Sequence, residues 1–188
     1  SEASFSIEDS EESAIRFGLS DIKNVGAGAV APIVEARKKG GPFKSIEDFC
    51  RRADLRGMNK KVMESLIKAG ALDCLAGRGA LLNRLDRIMS LSQREQSLRE
   101  SGQANMFDLW GATTPTPLPE IQLDNVEVSY RDKLAWEKEL IGVYLSGHPF
   151  YQAARELKSS TTAFCGEISA DMVGQTVTVA GQVVSVRQ

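Results

Sequence analysis

From residue 19 to residue 100 the apolar residues fall three and four apart, in short runs broken by turns that carry glycine or asparagine. That spacing selects helices over strands, because a strand places its apolar residues two apart. The segment APIVEARKK has helical spacing. SIEDFCRRA opens at Ser45, with Glu47 and Asp48 following, a pattern resembling a capping box. NKKVMESLIKAGAL starts at Asn59, a good N-cap, and ends at Gly70, a good helix terminator. GALLNRLDRIMSLSQREQSLRE reads as one long amphipathic helix, with Leu81, Leu82, Leu85, Ile88, Met89 and Leu91 on or near one face.

The flanks differ. In residues 1–18, the pieces FSI and AIRFGL around an acidic loop predict a brief strand or an extended lead-in. Residues 101–128, with prolines at 115, 117 and 119, form a linker that cannot be a helix interior. Residues 129–164 return to helix, with SYRDKLAWEKELIGVYL and YQAARELK on either side of a turn at SGHPF. There His148 reads as a turn residue and not a base, and Trp136 with Leu140 as core. In 165–188, GQTVTVAGQVVSVRQ alternates apolar and polar residues, which is strand material. So little sheet cannot bury a face, and the polypeptide is expected to be cut from a longer one.

Composition narrows the functional classes. A chain of 188 residues with 42% hydrophobic content can bury a core, and no apolar run approaches the roughly 20 residues that span a bilayer. The acidic, polar N-terminus resembles no signal or transit peptide. Cys50, Cys74 and Cys165 make no CxxC pair, so a reducing, cytosolic setting is expected, with the thiols as small buried apolar groups. A single histidine argues against a zinc site or a Ser-His-Asp triad. The net charge of −2 hides a segregation: residues 16–99 carry +8, between ends of −5 each. Such a block suits a polyanion, and it equally suits a solvated Lys/Arg-rich helical surface.

The segment LSDIKNVGAGAVAPIVEARKKG has the spacing of a helix-hairpin-helix. A short helix ends near Ile22, Lys23-Asn24-Val25-Gly26 turns sharply, and a second helix starts between Gly26 and Gly28. Bare backbone at such a tip lets N–H groups approach a phosphate, and the helix N-terminus adds partial positive charge. The candidate DNA-binding residues are Lys23, Asn24, Val25, Gly26, Ala27 and Gly28, with Lys38 and Lys39 adding fixed charge. Asn24 stands where such hairpins usually carry their first glycine, and Pro32 is expected to delay or bend the second helix. A second, weaker copy follows around Arg56, Gly57, Asn59, Lys60 and Lys61, with Arg51 and Arg52 close by. An ordinary helix–helix turn accounts for either segment as well.

QANMF, residues 103–107, looks like a docking peptide: Gln103 offers a polar hold while Met106 and Phe107 fill an apolar pocket. Taken alone, the string is better explained if Met106, Phe107 and Trp110 fold back onto the helices.

Six pieces in series, AIRFGLSDIKNVG, GGPFKSIEDFC, KKVMESLIKAGALDCL, GQANMF, ELIGVYLSGHPF and VTVAGQVVSVR, resemble the alpha-subunit family of bacterial replicative DNA polymerases, downstream of the fingers. The resemblance implies a mainly α fold: a tandem helix-hairpin-helix domain over 19–100, a clamp-binding peptide within 101–128, a helical connector, and the first strand or strands of a truncated OB-fold. It implies double-stranded DNA, the sliding clamp (beta subunit), the remaining polymerase domains and other replisome subunits as partners, no membrane, and a place at the nucleoid in the bacterial cytoplasm. The family's catalytic carboxylates, and the Mg2+ they would hold, belong to a palm domain that this sequence does not contain. No catalytic residue and no cofactor is therefore assigned, although the parent is a DNA-directed DNA polymerase. The competing reading is a helical protein-interaction scaffold without DNA contact. The two differ in whether Lys23, Arg56, Lys60 and Lys61 converge on an open face or pair with acids.

Overall fold

Two side-chain caps set the frame of the computed structural model. Ser45 Oγ accepts from the Asp48 N–H at 3.2 Å and starts α2 (Ile46–Arg52). Asn59 Oδ1 accepts from the Val62 N–H at 2.9 Å and starts α3 (Lys60–Lys68). Each satisfies one of the N–H groups that a helix start leaves without a partner. At the far end of α3, Gly70 takes a φ of +82°, and the Gly70 and Ala71 amides return to the Ile67 and Leu66 carbonyls. That is a Schellman closure, which needs a residue tolerant of positive φ.

The structure describes residues 1–8, 14–101, 120–181, 183 and 185–187, in two compact units, Ser1–Val143 and Tyr144–Gln188. The first unit opens with an antiparallel pair, β1 (Ser6–Glu8) and β2 (Ala14–Arg16), in which Ile7 faces Ile15. A single 3-10 turn, Leu19–Asp21, stands where the sequence suggested a short helix. α1 (Ala27–Gly40) follows, then α2, α3, α4 (Arg78–Asn83), α5 (Leu85–Glu100) and α6 (Tyr130–Leu140). α5 packs along α2 and α3, and α6 packs on α3. Val30, Ile46, Phe49, Cys50, Met63, Leu66, Ile67, Leu81 and Ile88 are the most deeply buried apolar groups.

Four expectations are corrected. The long helix over 79–100 is two helices, broken at Arg84 (φ −106°, ψ 13°). Arg84 reaches across to the Gln122 carbonyl and to Asp124, so a tertiary contact sits at the break. α1 runs unbroken through Pro32 from its start at Ala27. The connector helix stops at Leu140, where Gly142 at φ +85° turns the chain, and does not continue to Leu145. Of the thiols only Cys50 is buried; Cys74 and Cys165 are exposed.

The second unit holds α7 (Phe150–Leu157) and two 3-10 turns. Among its described residues no strand forms over 175–187. Thr178 bonds only to the Thr162–Ala163 turn, its carbonyl accepting from the Thr162 and Ala163 N–H groups and its own N–H donating to Thr162 Oγ1. Alternating side chains make a strand only beside a neighbour that continues the ladder. His148 sits in the turn before α7, where its Nδ1 accepts from the Phe150 N–H. Among the described residues no helix is long and apolar enough to cross a membrane.

Candidate nucleic-acid interface

The two hairpins of the first unit line up residue for residue at a constant spacing along the sequence. In the first, the Val25 N–H donates to the Ile22 carbonyl at 3.0 Å, closing a turn around Lys23 and Asn24. In the second, thirty-three residues on, the Met58 N–H donates to the Leu55 carbonyl at 2.9 Å around Arg56 and Gly57. Ile22, Val25, Leu55 and Met58 are buried, as are Val30 and Met63 behind them. These apolar plugs press each turn onto the core and force its two central residues outward. Gly26 and Asn59 then occupy the N-cap positions of α1 and α3.

Among the described residues, four backbone N–H groups in each hairpin have no acceptor: those of Asn24, Gly26, Ala27 and Gly28, and of Gly57, Asn59, Lys60 and Lys61. All eight residues are exposed, and they occupy matching positions in the two hairpins. A Cβ added at Gly26, Gly28 or Gly57 would meet nothing within 4 Å, so the approach is open. Amides gathered at a helix start attract anions, through direct donation and the dipole of the helix. Asn24 supplies what a glycine would. It adopts φ +70°, a region asparagine tolerates, and its Nδ2 donates to Ser65 Oγ on α3, tying the first tip to the second hairpin.

The charged side chains are arranged differently from the amides. Lys23 Nζ lies 3.3 Å from Glu139 of α6. Arg56 holds Asp54 in a bidentate pair and Glu100 at 3.2 Å. Lys60 lies 2.6 Å from Asp86. Lys61 has no ion-pair partner among the described residues. Hydrogen bonding from Arg56 holds the Asp54 carboxyl below its ordinary range and raises the guanidinium in turn. Lys38 and Lys39, grouped with the first tip in sequence, stand on the last turn of α1, about 15 Å along the helix from Gly28. There they pair with Glu2 and Glu35. Arg52 is turned inward: its Nη2 donates to the Ala36 and Gly41 carbonyls at the end of α1, and its guanidinium lies over Phe43. Gln103, Met106 and Phe107 lie outside the described residues.

A second network fixes α6 beneath the tips. Arg78, buried, joins Glu137 at 3.0 Å, Asp73 at 2.9 Å and the Lys68 carbonyl. Burial works against its charge, but the hydrogen bonds to Asp73 and Glu137 prevail and raise its pKa. With α6 so held, the Leu140 carbonyl accepts from the Lys23 N–H at 2.8 Å. No local spacing announces Glu139, Glu100 and Asp86, which lie 116, 44 and 26 residues from Lys23, Arg56 and Lys60.

Two buried plugs, two exposed tip residues and a start of helix with open amides, repeated once, define a tandem helix-hairpin-helix module. Residues 1–81 match the family described as Helix-hairpin-helix motif. Longer relatives extend the match. The DNA polymerase III subunit alpha of Vibrio cholerae is 37% identical over 192 residues, covering 97% of this chain and 16% of that protein. That of Thermus aquaticus is 38% identical over 164 residues, covering 86% of this chain and 13% of its own. That of Escherichia coli K12 is 33% identical over 187 residues, covering 94% and 15%. The chain belongs to the DNA polymerase III alpha-subunit family, and it spans 13–16% of the length of these three relatives.

Proposed function

We propose that the chain grips the sugar-phosphate backbone of duplex DNA, without reading sequence, through the tips of its two hairpins. The eight exposed amides at matching positions carry this reading. Contacts of this kind position a protein on DNA and carry no base information. Lys61, and the cations of Lys23, Arg56 and Lys60 once released from their acids, add charge at the same tips. The relatives' name supports a role in DNA replication, as one binding part of a replicative polymerase whose chemistry is done elsewhere in the molecule. Residues 103–107 supply a second attachment, to the sliding clamp. Two linked weak attachments reinforce one another by about 10²–10⁴ through effective concentration.

A titration of labelled duplex at two salt concentrations tests the first part. Binding independent of sequence, weakening with salt by a slope near −0.9 per phosphate contacted, is expected. Lys60→Glu with Lys61→Glu weakens it while circular dichroism is unchanged. Affinity indifferent to salt refutes the reading. For the second attachment, Gln103→Ala with Phe107→Ala abolishes binding to the cognate clamp and leaves duplex binding intact. Clamp affinity surviving that change places the docking site elsewhere.

The ion pairs at Lys23, Arg56 and Lys60 favour a second reading, a scaffold whose hairpins only pack on neighbouring protein. Exposed pairs of this type contribute about 0–1 kcal/mol and yield to a competing phosphate. The same titration separates the two: a scaffold shows no duplex binding at low salt.

A further inference from the structure

Besides Asp54, which Arg56 holds within its own hairpin, the cations at both hairpin tips are matched by carboxylates that the hairpins do not themselves supply. Glu139 comes from the end of α6, Asp86 from the first turn of α5, and Glu100 from its last residue. Pairs such as Lys39–Glu35 follow from helix spacing alone. These three do not. Glu139 stands next to Leu140, whose carbonyl holds the Lys23 N–H, so its placement is backed by a backbone bond. In each pair both side chains are more than half exposed, so an incoming anion reaches the cation without unpacking the core.

We propose that Glu139, Asp86 and Glu100 are internal competitors of phosphate, determining how tightly and for how long the tips hold a nucleic-acid strand. This rests on the duplex-binding reading. A carboxylate and a phosphate offer an ammonium or guanidinium the same thing, an anionic oxygen acceptor. A strand arriving at the tips exchanges one such acceptor for another at Lys23, Lys60 and Arg56. The exchange is nearly balanced, and the net grip comes from the open amides and Lys61. Sites of this kind release a strand readily, which suits contact with a duplex that must move past the protein.

The test replaces the three acids by their uncharged shapes, Glu139→Gln, Asp86→Asn and Glu100→Gln, in the full chain. A control removes equal charge at exposed positions with no ion pair among the described residues, Glu120→Gln, Glu127→Gln and Glu156→Gln. Fluorescence anisotropy with a labelled duplex at low salt is the readout, and Glu139→Gln alone serves as a milder variant. The expected result is about tenfold tighter binding for the first triple variant, about 1.4 kcal/mol, against little change for the control. Glu139→Gln alone tightens in the same direction by a smaller factor. Equal tightening in both triple variants reduces the effect to overall charge and overturns the proposal, as does no tightening in the first. Those outcomes leave wild-type duplex binding standing. Absence of salt-dependent binding in wild type and variants alike removes the duplex reading and this proposal together.

Discussion

Gly28 offers a perturbation that moves stability and binding in opposite directions. It is the second residue of α1, its N–H is open, and a side chain there meets nothing within 4 Å. Gly28→Glu removes a glycine from a helix, a gain of about 0.5–1 kcal/mol. It also places a carboxylate on the positive end of the helix, a gain of about 0.3–1 kcal/mol. At about 2–4 °C per kcal/mol for a chain of this size, the melting temperature rises by roughly 2–8 °C. The same carboxylate repels an arriving phosphate and competes with it for the open amides. Losing one contact between open amides and a charged acceptor removes about 1.5–3 kcal/mol, or roughly 10–100-fold in duplex affinity. Gly28→Gln is the control, with the same bulk and no charge: it keeps the propensity gain and loses little affinity. Thermal unfolding and anisotropy on the same samples give both numbers. A stabilised Gly28→Glu variant that binds duplex within twofold of wild type would show that phosphate does not meet these amides.

The remaining expectations concern the frame around the tips. Arg78→Ala strips a buried carboxylate, Glu137, of its guanidinium and destabilises the fold by about 3–5 kcal/mol in urea unfolding; a loss under about 1 kcal/mol contradicts the network's importance. Burial, then Glu47 and Glu95, push the Cys50 thiol up to about 12, so a thiol reagent at neutral pH modifies Cys74 and Cys165 and reaches Cys50 only with urea. Glu2, Glu35 and Asp54 are held below their ordinary values of 4.5, 4.5 and 3.8 by hydrogen bonds from Lys38, Lys39 and Arg56. Their stabilisation is complete above about pH 4.5 and disappears as pH falls through the depressed values, so the melting temperature stays level from pH 7 to 5 and drops below 4. A melting temperature that rises as pH falls below 4 would contradict that sign.

The parts legible in the sequence are those whose cause lies within one or two helical turns. Ser45 and Asn59 cap because their side chains reach an amide three residues on, and Gly70 closes α3 because it tolerates a positive φ. The apolar plugs of the first hairpin, at Ile22 and Val25, are set by the same short spacing. Where a distant partner intervenes, the local reading fails. The helix over 79–100 has an unbroken apolar stripe, yet it divides at Arg84, which binds Gln122 and Asp124. Strand-like alternation near the C-terminus finds no laddered neighbour among the described residues, only the hydrogen bonds that Thr178 makes with Thr162 and Ala163.

Sequence by itself therefore determined a helical chain with paired, glycine- or asparagine-bearing tips and a basic middle, because turn chemistry and helix periodicity are properties of neighbouring residues. Only the tertiary structure decided how that charge is spent. Lys38 and Lys39 are carried to the far end of α1, Arg52 is turned inward, and Lys23, Arg56 and Lys60 are each set against an acid from another element. Coulomb attraction acts through space and is indifferent to position in the chain, so the count of charges was visible at once and their pairing only after folding.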